Sequence, residues 1–141
     1  MTNINGKSVL VVDDDAAMLR ALQKVLTAEG ASVATASWAG EIMVRLDENQ
    51  GRVDLVITDL RMPILNGQSV LRAVKAALPE VPVIVITAFG SPEKRAECWR
   101  DGTAGFLEKP LDTPQLLAVI DKVISARETA HERGGRSLGR L

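Results

Sequence analysis

The chain has 141 residues, 46% of them hydrophobic and 25% charged, a balance that excludes intrinsic disorder and a length that suits one domain with one core. Seventeen basic and eighteen acidic residues leave a net charge of −1, far from the basic field that direct nucleic-acid binding requires. Two Phe, two Trp and no Tyr leave few rings to stack on bases or sugars, so proteins are the expected partners.

Taken in chain order, Ser8–Asp13 reads as a first strand whose aliphatic run ends in Asp13 and Asp14. A helix follows, capped by Asp15, with a stripe at Met18, Leu22, Val25 and Leu26 and a left-handed terminator at Gly30. The second strand, Ala31–Ala36, has short side chains and reads as an edge. Ser37 is placed to cap a second helix with Trp38, Ile42 and Leu46 on its apolar stripe. Val53–Thr58 is a near-continuous aliphatic third strand, as expected where both sheet faces are covered, and Asp59 follows it. Asn66 would cap a third helix carrying Val70, Val74 and Leu78. Val81–Thr87 is a second aliphatic strand, ending in a hydroxyl.

Ser91 before Pro92 marks the start of a fourth helix running to Arg100, in which only Ala96, Cys98 and Trp99 are available to pack. It should be the loosest helix. Gly102 ends it, and Ala104–Glu108 reads as the other edge strand, followed by Lys109 and Pro110. Thr113 before Pro114 opens a fifth helix with Leu116, Ile120, Val123 and Ile124 on one face. From Arg127 the chain turns polar and glycine-rich, so residues 1–126 are expected to form the domain and 127–141 a flexible tail or truncated linker.

Alternation of strands and helices is the signature of a parallel α/β sheet. The expected fold is a five-stranded, doubly wound, flavodoxin-like sheet of order 2-1-3-4-5 flanked by five helices. Ligands bind such sheets outside the carboxyl ends of the strands, where Asp13, Asp14, Asp59, Thr87 and Lys109 all fall. Clustered carboxylates repel unless a proton or cation intervenes, and hard oxygen donors at a wet edge suit Mg²⁺. Lys109 and Thr87 would add a fixed charge and a hydroxyl suited to a phosphoryl group in transfer. Asp59 is then the best nucleophile, forming an acyl phosphate.

These elements resemble the phosphorylation site of two-component response-regulator receiver domains. Asp13-Asp14, Asp59 in Asp-Leu-Arg-Met-Pro, Thr87-Ala88 and Lys109-Pro110 carry the resemblance, which spans roughly Lys7 to Arg127. It implies Asp59 as phosphoacceptor, Asp14 as a direct Mg²⁺ ligand, Asp13 as an outer-sphere helper, and the Arg61 carbonyl as a further ligand. Lys109 and Thr87 would contact the phosphoryl oxygens, and a cis peptide would precede Pro110. Phe106 stands where the family keeps an aromatic switch residue, which the resemblance implies rotates into the space vacated when the Thr87 hydroxyl is drawn inward. The resemblance further implies a histidine kinase or phosphotransfer protein as donor. The output would be a downstream protein or a C-terminal output domain, with a homodimer through helix 4, strand 5 and helix 5 as a further expectation.

Two other functions use the same residues. A haloacid-dehalogenase-like phosphatase would employ Asp13 and Asp15, but Ala17 stands where that family needs threonine or valine, and Glu108-Lys109 replaces its late acidic pair. An unphosphorylated interaction module would keep the fold and leave the charges idle. Lone Cys98 reads as a packing residue and argues for a reducing cytoplasm. No apolar run approaches the roughly 20 residues that cross a bilayer, so no membrane association is expected.

Overall fold

A computed structural model of the chain describes residues 3–37, 39–48, 52–59, 72, 74–88 and 91–139. Five parallel strands form one sheet: β1 (Ser8–Val12), β2 (Ser32–Ala36), β3 (Leu55–Asp59), β4 (Val83–Thr87) and β5 (Gly105–Glu108). Their order is β2-β1-β3-β4-β5, as expected from the aliphatic content of the strands. The helices are α1 (Ala16–Ala28), α2 (Ala39–Glu48), α3 (helical residues 72 and 74–77), α4 (Pro92–Arg100) and α5 (Thr113–Gly139).

Every residue of β3 and β4 is buried, which explains why these two strands carry no alternation of polar and apolar residues. Successive side chains enter opposite layers. Leu10, Val12, Val56, Val83, Val85 and Phe106 join Ile42, Leu46, Val74 and Cys98 on one face of the sheet. Val9, Val11, Leu55, Ile57, Ile84 and Ile86 join Leu22, Leu26, Leu116, Ile120 and Ile124 on the other. Hydrophobic burial therefore fixes the strands on both sides, and charged side chains gather where the strands end.

The local signals act largely as the sequence implies. The Asp15 carboxylate accepts from the Ala17 and Met18 amides and caps α1, while Ser91 accepts from the Lys94 amide with Pro92 in the first turn of α4. Gly30 and Gly102 have φ of 90° and 98°, the left-handed conformation that follows many helices. Three details differ. Thr113 is the first helical residue of α5 rather than the residue before it, since the Asp112 carbonyl already accepts from the Leu116 amide. The Ser37 hydroxyl donates to the Glu41 carboxylate, which also takes the Ser37 amide, so the acid does the capping. In α4 only Cys98 is buried, and Trp99 is 47% exposed. Trp38, Asn66 and Val70 lie outside the described residues.

The expected flexible tail is helical instead as far as Gly139. Its residues include several good helix formers, Arg127, Glu128, Ala130, Glu132 and Arg133, with no proline to stop them. The root of this extension is tied down. Arg127 donates to the Asp54 carbonyl at 2.9 Å and to its carboxylate at 3.2 Å, and Lys7 pairs with Glu128 at 3.1 Å. The Asp54 carboxylate also accepts from the Ser8 amide at 2.8 Å, so one side chain joins the starts of β1 and β3 to α5.

Arg127→Ala should lower the unfolding free energy by about 0.5–1.5 kcal/mol, the scale of partly exposed hydrogen bonds. Asp54→Ala should cost more, because the Ser8 amide also loses its acceptor. Urea midpoints at unchanged slope provide the measurement, and equal losses in the two variants would contradict the shared role of Asp54.

Candidate functional site

Two strand ends bring the three acidic residues together. Val12 is in register with Thr58, so Asp13, one residue further along β1, sits beside Asp59 at the end of β3. Asp13 is fixed at both ends: its amide donates to the Ala36 carbonyl at 3.0 Å, and its carboxylate accepts from the Asp15 amide at 2.9 Å. Asp13 and Asp59 are buried at 2% and 6% exposure, whereas Asp14 faces solvent. One carboxylate oxygen from each of the three lies within 4.8 Å of the others.

Lys109 provides the opposing charge. Its amide donates to the Thr87 carbonyl at 2.9 Å, which carries the chain from β5 to the end of β4. From there the ammonium reaches Asp59 at 3.1 Å and Asp13 at 3.2 Å. The peptide between Lys109 and Pro110 is cis, as the resemblance implied. Thr87 is fully buried at the end of β4 on the layer that holds Val83 and Val85.

One ammonium does not neutralise two buried carboxylates. Burial pushes the Asp13 carboxyl up to about 6, opposed by the hydrogen bond from the Asp15 amide and reinforced by the neighbouring Asp59 charge. Burial also works against the charge on Lys109, but its hydrogen bond to Asp59 and the two carboxylate charges outweigh this and raise its pKa. The ammonium is thus held protonated. Hard oxygen donors carrying excess negative charge are what a small divalent cation selects, so the donor set fits Mg²⁺.

Of the residues singled out by sequence, Asp13, Asp14, Asp59 and Lys109 meet at this edge, with Thr87 ending the neighbouring strand. Arg61 lies outside the described residues. Phe106 is set back on β5, paired in register with Val85 and buried at 7% exposure. Sequence reasoning missed the group above its ring: the Arg95 guanidinium carbon lies 5.0 Å from the ring centroid. Arg95 and Cys98 are three residues apart on α4, a spacing that places both on one side of the helix. Cys98 itself is buried, and burial followed by the charges of Asp101 and Glu97 raises its thiol pKa, which suits a packing role.

The chain is similar to known proteins over most of its length. The response regulator receiver domain profile matches residues 9–121. The transcriptional regulatory protein ZraR of Salmonella typhimurium is 36% identical over 131 residues, covering 92% of this chain and 29% of that protein. This chain therefore spans less than a third of that relative. A response regulator receiver domain from Clostridium thermocellum superposes with a TM-score of 0.81 at 31% identity, over 88% of this chain and 98% of the other. The beryllofluoride-activated NtrC4 receiver domain dimer gives a TM-score of 0.78 at 29% identity, over 85% and 98%.

The Asp13 shift gives a pH test without added metal. Between about pH 4 and 6 the folded chain keeps a proton on Asp13 that the unfolded chain has released, so stability falls as pH rises through that window and stays lowered above it. Asp13→Asn should flatten that slope and raise stability at pH 7 by about 1–3 kcal/mol. Urea unfolding across a pH series in chelator provides the measurement, and an unchanged slope would contradict the assignment.

Proposed function

The chain belongs to the response regulator receiver domain family, and from that membership we propose that it is a signalling switch driven by phosphorylation of Asp59. The carrying observation is that Asp59 ends a central strand within reach of both the Lys109 ammonium and the two other carboxylates. A histidine kinase or phosphotransfer protein supplies the phosphoryl group. An Asp59 carboxylate oxygen attacks phosphorus, the donor's bond to phosphorus breaks, and an acyl phosphate remains on Asp59.

The chain's own residues divide the work. Lys109, already held 3.1 Å from Asp59, stabilises one outer phosphoryl oxygen, and the Thr87 hydroxyl takes another. Asp13, Asp14, Asp59 and the Arg61 carbonyl would hold Mg²⁺, with Asp14 as a direct ligand and Asp13 acting at one remove. Such an ion, when bound, neutralises charge on the phosphoryl oxygens. The same site hydrolyses the acyl phosphate slowly, so the chain is a self-phosphorylating regulator and not a turnover enzyme.

Engagement of Thr87 is then relayed to Phe106, and the surface formed by α4, β5 and α5 changes its partners. Those partners are a downstream protein or an output domain joined through the α5 extension, with 1–126 as the switch domain. ZraR is described as a transcriptional regulatory protein, which supports an output of that kind. A second copy of this chain is another candidate for the same face, supported by the description of the NtrC4 receiver as an activated dimer. Among the described residues no helix is long and apolar enough to cross a membrane, and we place the switch in the cytoplasm with its kinase.

Intact-protein mass after incubation with acetyl phosphate should show one phosphoryl adduct that requires Mg²⁺ and is lost in Asp59→Asn. No adduct under any condition would favour the unphosphorylated interaction module, and continuous phosphate release through Asp13 would favour the phosphatase. Thr87→Ala should keep the adduct and lose the phosphorylation-dependent gain in partner affinity. Unchanged partner affinity in that variant would remove Thr87 from the relay.

A further inference from the structure

We infer that residues 3–7 form a strap across the edge of the sheet where the strands begin, which carries α5 past the end of the core and makes residues 125–139 a helical stalk. The strap does not depend on phosphorylation of Asp59; use of the stalk by an output domain rests on the proposed output through α5. Ile4 anchors the strap, fully buried in the layer that holds Leu26, Ile120 and Ile124. On one side of it the Gly6 amide donates to the Gly30 carbonyl at 2.9 Å, and Asn5 lies so close to Gly30 that a Cβ there would collide with it. On the other side the Asn3 amide donates to the Asp121 carboxylate at 2.6 Å, and the Asn3 side-chain amide donates to the Ser125 hydroxyl at 2.8 Å. Lys7 reaches Glu128 at 3.1 Å. Asp121, Ser125 and Glu128 are spaced by four and three residues, so the strap follows one stripe of α5 for two turns.

That stripe takes over where the aliphatic one ends. Ile124 is the last buried residue among those of α5 whose burial is described. A short polar helix without a packed face is marginal in water, and Gly134 and Gly135 each weaken it further. Contacts at Ser125, Arg127 and Glu128 therefore supply what the core no longer does. Each is at least partly exposed and shifts a local equilibrium between helix and frayed chain by about two- to fivefold. Asp54, which receives Arg127, immediately precedes β3, whereas Asp59 ends that strand roughly 16 Å away at about 3.3 Å per residue. The strap thus uses groups that the phosphorylation site leaves idle. A helical stalk passes on the orientation of the domain, which a loose linker cannot.

The test is the backbone carbon chemical shifts of residues 113–139, measured by NMR on the full chain. Asn3→Ala and Lys7→Glu lie outside the helix and leave its intrinsic propensity unchanged. Each should raise the ratio of frayed to helical chain over residues 125–139 about two- to fivefold while residues 113–124 keep native helical shifts. Adding Glu128→Lys to Lys7→Glu restores opposite charges and should return most of the helix. Unchanged shifts in both single variants, an equal loss throughout residues 113–139, or no rescue by Glu128→Lys would overturn the strap. Coil shifts from Ser125 onward in the native chain would overturn the stalk itself. Neither Mg²⁺ nor a phosphoryl donor is present, so failure of phosphorylation at Asp59 would show only in the adduct experiment and leave this result intact.

Discussion

Asp13 and Asp59 share one ammonium, and much of the structure serves to keep that arrangement in place. Two buried carboxylates a few ångströms apart destabilise a fold unless each is hydrogen-bonded and an opposing charge is held between them. Asp13 is held by backbone groups on both sides, Asp59 is the last residue of a fully buried strand, and Lys109 is anchored by its own amide to the end of β4. The remaining imbalance appears as a raised Asp13 pKa. A site with surplus negative charge and a fixed cation is poised for a ligand bringing a metal ion and a phosphoryl group together, since each compensates what the other adds.

The parallel sheet makes this economical. With aliphatic side chains filling both layers, the strands have no interior position for charge, and charged residues enter only where a strand leaves the sheet. Strand order then decides which ends meet. Placing β1 beside β3 puts Asp13 against Asp59, and Lys109 reaches both because the chain leaving β5 passes over the end of β4. The carboxylates come from neighbouring strands while the ammonium comes from the edge, so the site reports on the relative position of four strands.

Features governed by local chemistry were legible in the sequence. Aliphatic runs marked the strands, Asp15 and Ser91 marked helix starts, Gly30 and Gly102 marked helix ends, and the residues after each strand marked the site. What escaped depended on partners distant in the chain. Nothing near Arg127 announces that Asp54 will receive it, so a polar segment that looks like a loose tail begins instead as an anchored helix. Trp99 looks like a packing residue by composition, yet α4 lies with Cys98 inward and leaves the indole half-exposed. Arg95 reads as a solvated charge because the ring beneath it belongs to β5. Helical periodicity identifies which residues share a face but not what that face meets.

The unequal packing of the two helices flanking β5 explains where conformational change is least costly. Among the described residues, α5 buries Leu116, Ile120, Val123 and Ile124, whereas α4 buries only Cys98. Exposing four aliphatic side chains would cost on the order of 6–12 kcal/mol, more than a signalling ligand can be expected to supply. Shifting α4 disturbs one small buried side chain and the Arg95 cation over the Phe106 ring, a cost of about 1–2 kcal/mol that lies within the range of typical allosteric coupling. The helix with the weakest apolar stripe in the sequence is therefore the one held by the least burial, while four aliphatic side chains hold α5 against the strands.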